Sequence, residues 1–302
     1  MKSLMRFLLS TLIAIGVLNS SVYADERWYV DATAVGVAGK YSDSILRDNF
    51  YSAGASLNID YLDYYSFSVA YNNLKINYKD LGAGAFNINQ DALAGRFQYY
   101  FYNDALAGKI TTQLVMHRII NNSPAELPGN VTIVAPKFVY MHYDKDLSMD
   151  LEYVWSGYAN NDLVIQQFSP SIGFGFNDNS DWLEFKAYYI TSDDKSQTQG
   201  EDSLTSARIK WKHWLDPGAI FGVNNFFIDA LAGQRIFAVD NDTYTVYNLE
   251  DIQQASILFG LGWRPGEDFD LSVVAGIEEY KNKIIENIYT REYIYINLTA
   301  HW

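Results

Sequence analysis

Tyr293-Ile-Tyr-Ile-Asn-Leu-Thr-Ala-His-Trp302 closes the chain. Ile294, Ile296, Leu298, Ala300 and Trp302 share one parity, and Tyr293, Tyr295, Asn297, Thr299 and His301 share the other. Successive side chains of a strand point to opposite faces, so this segment reads as a strand with one apolar and one polar face. It stops on an aromatic residue at the tip of the apolar face, an ending that a soluble domain seldom has.

The same alternation recurs upstream. In 269–280, Phe269, Leu271, Val273, Ala275 and Ile277 alternate with Asp270, Ser272, Val274, Gly276 and Glu278. In 50–61, Tyr51, Ala53, Ala55, Leu57 and Ile59 alternate with Ser52, Gly54, Ser56, Asn58 and Asp60. The parity slips near Asn72-Asn73, which suggests a bulge, and 219–230 is ambiguous. Short turn signals at Leu62-Asp63, Asn103-Asp104, Asp144–Asp146, Asn177–Ser180, Asp216–Gly218 and Pro265–Asp268 alternate with longer polar connections over 40–49, 79–89, 119–130, 159–165, 192–203, 232–250 and 282–290. Six short and seven long connections predict fourteen strands with both termini at one end. The predicted fold is all-β: a closed antiparallel transmembrane barrel with short periplasmic turns and longer extracellular loops. A secreted β-sandwich or soluble barrel is the alternative, but its strands would be shorter, about 5–6 residues.

The composition agrees. The chain has 302 residues, 49% of them apolar and 16% aromatic, with 24 Tyr and 7 Trp. Trp28, Tyr61, Tyr64, Phe101, Tyr143, Trp182, Trp214, Trp263, Phe269 and Trp302 fall at strand ends beside the termini or short turns. That is where an aromatic girdle at a membrane interface belongs. Residues 1–24 read as a secretory signal peptide: Lys2 and Arg6, an apolar run from Phe7 to Leu18, then Val22-Tyr23-Ala24 before mature Asp25. The expected domains are therefore a signal peptide over 1–24 and a barrel over 25–302. The absence of Cys excludes disulfides and thiol chemistry. A net charge of −14 argues against nucleic acid as a partner.

The terminal strand resembles the C-terminal signal of Gram-negative outer-membrane β-barrels, which the barrel-assembly machinery reads. By size and strand count the chain resembles monomeric fourteen-stranded porins of the OmpG kind. Gly233-Gln-Arg-Ile-Phe-Ala-Val-Asp-Asn-Asp242, with Val246-Tyr-Asn-Leu249 and Gln253, resembles the late hairpins of YaiO-type barrels. These likenesses imply residence in a bacterial outer membrane among lipids and lipopolysaccharide, and they carry over no functional residue.

No catalytic constellation emerges. His117, His142, His213 and His301 lack nucleophile partners at usable spacing. No cluster has metal-ligand spacing, so neither enzyme activity nor a cofactor is expected. Asp240-Asn-Asp242 reads as a solvated loop or a weak calcium site. Acidic loop residues (Asp193, Asp194, Glu201, Asp202; Asp240, Asp242, Glu250, Asp251) would aid solubility or bridge divalent cations to lipopolysaccharide.

The lumen face is more telling. With Ala207, Ile209 and Trp211 toward lipid, Arg208, Lys210 and Lys212 form an inward basic ladder. By the same parity Glu184, Lys186, Asp150 and Glu152 point inward, so an acidic and a basic stripe should face each other across a groove lined by Ser169, Ser171, Gly173 and Gly175. Such stripes either orient a polar solute or stiffen the wall as ion pairs. Further inward charges, Arg96, Lys109, Lys137, Asp31, Asp60, Asp270 and Arg264, are scattered. The functional expectation is a porin-like channel for small polar or charged solutes, with loop 232–250 able to fold in as a constriction. The alternative is a non-catalytic accessory or binding barrel, for instance in surface polysaccharide export or envelope structure.

Overall fold

A computed structural model describes residues 27–62, 64–80, 87–121, 129–159, 162–216, 222–247 and 249–302. The proposed signal peptide, Asp63 and the centres of several connections lie outside them. The described strands are β1 (Trp28–Ser42), β2 (Arg47–Tyr61), β3 (Tyr65–Tyr78), β4 (Asn87–Asn103), β5 (Gly108–Asn121), β6 (Val131–His142), β7 (Leu147–Tyr158), β8 (Val164–Phe176), β9 (Asp181–Ser192), β10 (Ser203–Trp214), β11 (Val223–Arg235), β12 (Val239–Asp240), β13 (Thr245–Val246), β14 (Ile252–Trp263), β15 (Phe269–Asn282) and β16 (Asn287–His301). Fourteen of these pair in sequence order, and β16 closes on β1 from Asp31↔His301 to Ser42↔Thr290. Closure leaves no unpaired edge, which a strand in hydrocarbon could not tolerate. β12 and β13 form a separate two-stranded hairpin.

The outer face is apolar and unpartnered. Phe67, Phe138 and Ile294 are 55%, 58% and 56% exposed, and strands of 12–17 residues suffice to cross a bilayer when tilted. A soluble β-sandwich would bury such residues between two sheets. The start of β1, the end of β16 and the strand ends that flank the short turns share one end, here the terminal end; the strand ends that flank the longer connections share the far end. Two expected long connections are short, because β1 runs to Ser42 and β2 resumes at Arg47, and β15 runs to Asn282 before Asn287.

The bulge expected at Asn72-Asn73 is absent. Gly54↔Asn72 and Ala53↔Asn73 sit in unbroken register. Leu74 and Ile76 keep the inward parity and join an apolar cluster inside the barrel, while Asn73 stays outward on Asp91 at 2.9 Å. An apolar lumen patch had imitated a parity slip. Register shifts occur instead between Arg47 and Asn49, at both ends of β11, and between Gln253 and Ala255.

A lumen plug and its basic seat

The connection between β11 and β14 lies inside the barrel. It leaves the wall at a register shift between Ala232 and Arg235. Gly233 holds φ +102° there, and a Cβ at that position would sit 2.6 Å from the Thr205 carbonyl oxygen, so the inward turn needs glycine. Phe237 then adopts φ 51°, a left-handed conformation that side chains resist by about 1 kcal/mol or more. The contacts it gains explain why it is held. Ile236, Phe237, Ala238 and Val239 are buried against Val115, Ile119, Val131, Ile133, Ala135, Val154, Ile165 and Ile190, the inward faces of β5–β9. This stretch of lumen wall is apolar, and burying each large side chain on it contributes about 2 kcal/mol. Gln167 of β8 completes the seating: its Nε2 donates to the Val239 carbonyl at 2.8 Å, and its Oε1 accepts from the Val239 amide at 3.0 Å.

The hairpin tip, Asp240-Asn-Asp242, is read by charge. Asp240 accepts from Arg208 Nη1 at 2.8 Å. Asp242 meets Lys137 Nζ at 2.8 Å and Lys186 Nζ at 3.2 Å. Asn241 donates to Glu152 at 2.6 Å, and its Oδ1 lies 2.7 Å from His117 Nε2. Burial pushes the Asp242 carboxyl up, but Lys186 and Lys137 outweigh it and hold the group well below the usual carboxylate range. The tip is therefore neither a solvated loop nor arranged as a calcium site, since cations already occupy its carboxylates.

The basic ladder is placed with its rungs in different states. Arg208 meets Glu184 at 2.7 Å, Asp240 at 2.8 Å and Asp229 at 3.8 Å. Lys186 lies 3.7 Å from Glu152, and Lys137 3.4 Å from Asp150. Lys210 and Lys212 make no ion pair among the described residues; Lys210 Nζ sits 5.0 Å over the Phe227 ring and Lys212 Nζ 4.6 Å over the Trp214 ring. Two opposed stripes across an open groove are not what forms. The wall acids pair locally, and the plug supplies the remaining carboxylates. Sequence parity could assign each of these residues to a face; it carried no signal that residues thirty to a hundred positions away would pair with them.

Beside the plug runs a cavity of 440 Å³ lined by the plug residues Thr243–Tyr247 and by the facing walls of β1–β3, β10, β11 and β14–β16. It extends along β16 from Arg291 to Asn297, six residues and so about 20 Å. Tyr41, Phe50, Ile76, Ile88, Leu249, Tyr280 and Tyr289 form a buried cluster at its far end. Arg47 ties that cluster to the plug's returning limb: its guanidinium pairs with Asp251 and Tyr289 and faces the Tyr41 and Tyr78 rings at 5.8 and 5.7 Å. Asn282 also donates to Asp251, at 2.6 Å. The acidic residues Asp240 and Asp251 thus work inside the barrel and not as surface charge.

The expected aromatic girdle divides. Trp28 packs against Tyr61 on the outer face, ring centroids 4.6 Å apart, and Trp263 and Trp302 share the outward parity of their strands. Trp182 and Trp214 do not join them. Trp182 has the parity of Glu184 and Lys186 and would collide with a Cβ at Gly173 on the lumen wall. Trp214 has the parity of Lys212. Together they flank Lys212 at the terminal mouth, and Trp211, with His213 and Asp181, takes the outer position. Nearness to a turn, which groups both tryptophans with the girdle in the sequence, ignores face. His142 contacts Asp146, and His301 bridges Asp31 and Asp270, so each histidine has a polar partner. Among the described residues no group of His, Cys, Asp and Glu is arranged for a metal.

No protein-family model matches the chain, and no curated protein matches it. Solved structures match in fold. The Pseudomonas putida toluene transporter TodX aligns over 92% of this chain and 90% of its own, at 9% identity and a TM-score of 0.51. A bacterial polysaccharide outer membrane secretin aligns over 90% and 98%, at 11% identity and 0.52. A Pseudomonas aeruginosa FadL homologue aligns over 92% and 90%, at 10% identity and 0.50. The chain shares the architecture of outer-membrane β-barrels. These likenesses bear on the barrel class, and not on a specific OmpG-type or YaiO-type relationship.

Proposed function

We propose that this protein is an outer-membrane channel for small polar or charged solutes, closed in the described state by the 236–251 plug and opened by withdrawal of its tip. The observation that carries this reading is the division of the plug. Ile236–Val239 is anchored by apolar burial, whereas Asp240–Asp242 is held by ion pairs beside a long cavity. Ion pairs are weakened by charge screening; apolar anchorage is not. Charges in the lumen would then bias which solutes pass. In this reading residues 1–24 are removed on export, the terminal end faces the periplasm, lipopolysaccharide and lipid surround the outer face, and the assembly machinery recognises β16. No side chain is assigned a catalytic role.

Planar-bilayer recording of the refolded protein tests the proposal. Wild type should show infrequent openings, and replacing 240–247 by a Gly-Ser segment of equal length should give steady conductance. A folded replacement variant that stays silent would refute the channel and favour the accessory-barrel reading. A lumen this filled, and a fold shared with a polysaccharide secretin, keep that second reading worth testing.

A further inference from the structure

Arg235, the last residue of β11, is 4% exposed. Its Nε donates to Gln253 Oε1 at 2.6 Å, and the Tyr247 and Tyr188 rings flank the guanidinium at 4.2 and 5.2 Å. Every other deeply buried lumen cation described above has a carboxylate within ion-pair distance; Arg235 has none among the described residues. The two carboxylates that face it are committed elsewhere, Glu278 to Arg291 at 2.5 Å and Asp240 to Arg208 at 2.8 Å.

The surroundings of Arg235 are rich in hydrogen-bond donors. Its Nη1 has no acceptor among the described residues. Because Arg235 Nε engages Gln253 Oε1, the Gln253 amide nitrogen is turned away as a donor, and it too has no acceptor. The Tyr188 and Ser206 hydroxyls, on residues directly paired across β9 and β10, are buried without a partner. The guanidinium and the Gln253 amide thus each keep an N–H donor without an acceptor, beside two hydroxyls that are also unbonded. Each unmade bond is costly, and more so on a buried guanidinium with no carboxylate in ion-pair contact. Of these groups Arg235 lines the cavity beside the plug, where an anion would supply its Nη1 with an acceptor.

The Tyr247 ring, 4.2 Å from the guanidinium, lines the same cavity, as do Phe50, Tyr293, Val37 and Val274, an apolar and aromatic surface suited to a ligand's body, and its volume is in the range of small-molecule sites. We propose that Arg235 is the anchor of a binding site for small organic anions, with the carboxylate on the guanidinium and the apolar body along the Phe50–Tyr293 wall. Tyr247 belongs to the plug, so an occupied site would also touch the element that closes the lumen. The site names a solute class for the channel proposed above and rests on that reading for its role, but its occupancy is measurable without conduction.

The test is calorimetric titration of the refolded full chain in detergent with cyclohexanecarboxylate, acetate and cyclohexanemethanol at matched ionic strength. Saturable binding of cyclohexanecarboxylate is expected, with acetate weaker by about tenfold or more and the neutral alcohol not binding. Arg235→Gln should weaken cyclohexanecarboxylate by about tenfold or more. If that variant fails to give a heat-modifiable barrel, Leu74→Trp fills the cavity from the opposite wall without touching Arg235 and should abolish binding. Absence of saturable carboxylate binding to wild type, equal binding of the alcohol, or unchanged affinity in either folded variant would overturn the site. A conducting channel with any of those results would leave the channel reading standing without it.

Discussion

Asp242→Asn isolates the charge lock of the plug. The substitution keeps shape and removes one negative charge from between Lys137 and Lys186, whose side chains are 5% and 1% exposed. Removing one partner of a buried ion pair typically costs about 3–5 kcal/mol. Two features lower the figure here. The Asp242 side chain is itself 44% exposed to the cavity, and Asp150 at 3.4 Å and Glu152 at 3.7 Å remain to face the two lysines. About 2 kcal/mol is then the expected loss of docking free energy, which at about 1.4 kcal/mol per decade is roughly a thirty-fold rise in the opening constant of the tip. Single-channel recording reads this as open probability. A nitroxide on Thr243→Cys, in the tip, reads it independently as label mobility. The apolar anchor at Ile236–Val239 is untouched, so the barrel should keep its heat-modifiable migration. Open probability and mobility both within about twofold of the unsubstituted protein would refute an ion-paired lock, because a loss that small corresponds to less than about 0.5 kcal/mol.

Acid should act through the same carboxylate. Docking depresses the Asp242 pKa, so its contribution is fully present above the ordinary aspartate value of about 3.9 and is lost as pH falls through the lower docked value; open probability should be equal at pH 7.5 and 5 and rise only below about pH 4, and a transition centred between 5 and 7 would contradict this. Lys210→Glu with Lys212→Glu, the two ladder rungs without ion pairs, should shift the reversal potential of open channels toward cation selectivity in a salt gradient; an unchanged potential would make those lysines structural. Gly233→Ala should destabilise the barrel by about 1–3 kcal/mol in denaturant titration, because the backbone conformation is left-handed and the new Cβ meets the Thr205 carbonyl. Deleting Trp302 should lower outer-membrane levels more than His301→Ala does, since Trp302 extends the outward face and His301 bonds Asp31 and Asp270 inside; equal levels for both would remove the terminal aromatic from targeting.

Strand number, closure and the inward or outward fate of most side chains were legible in the sequence, because a strand's period of two makes facing a local property. Ile294 against Tyr293 and Arg208 against Ile209 needed only their neighbours in the chain. The limits of that rule also show locally: it read the inward apolar residues Leu74 and Ile76 as a slip of register, and nearness to a turn sent Trp182 and Trp214 to the wrong face. The plug was legible only as a possibility, a long connection between two strands. What sent it inward was the apolar lumen wall of β5–β9, assembled from residues on five strands, and the cations of β6, β9 and β10. In sequence those wall residues are scattered inward positions that look like ordinary strand hydrophobics. The lone Arg235 is subtler still, since a cation with no carboxylate in ion-pair contact can be recognised only after every carboxylate around it has been assigned. Facing is fixed by the chain's own geometry; pairing across a lumen is fixed by closure, which brings together residues 105 and 204 positions apart in the sequence.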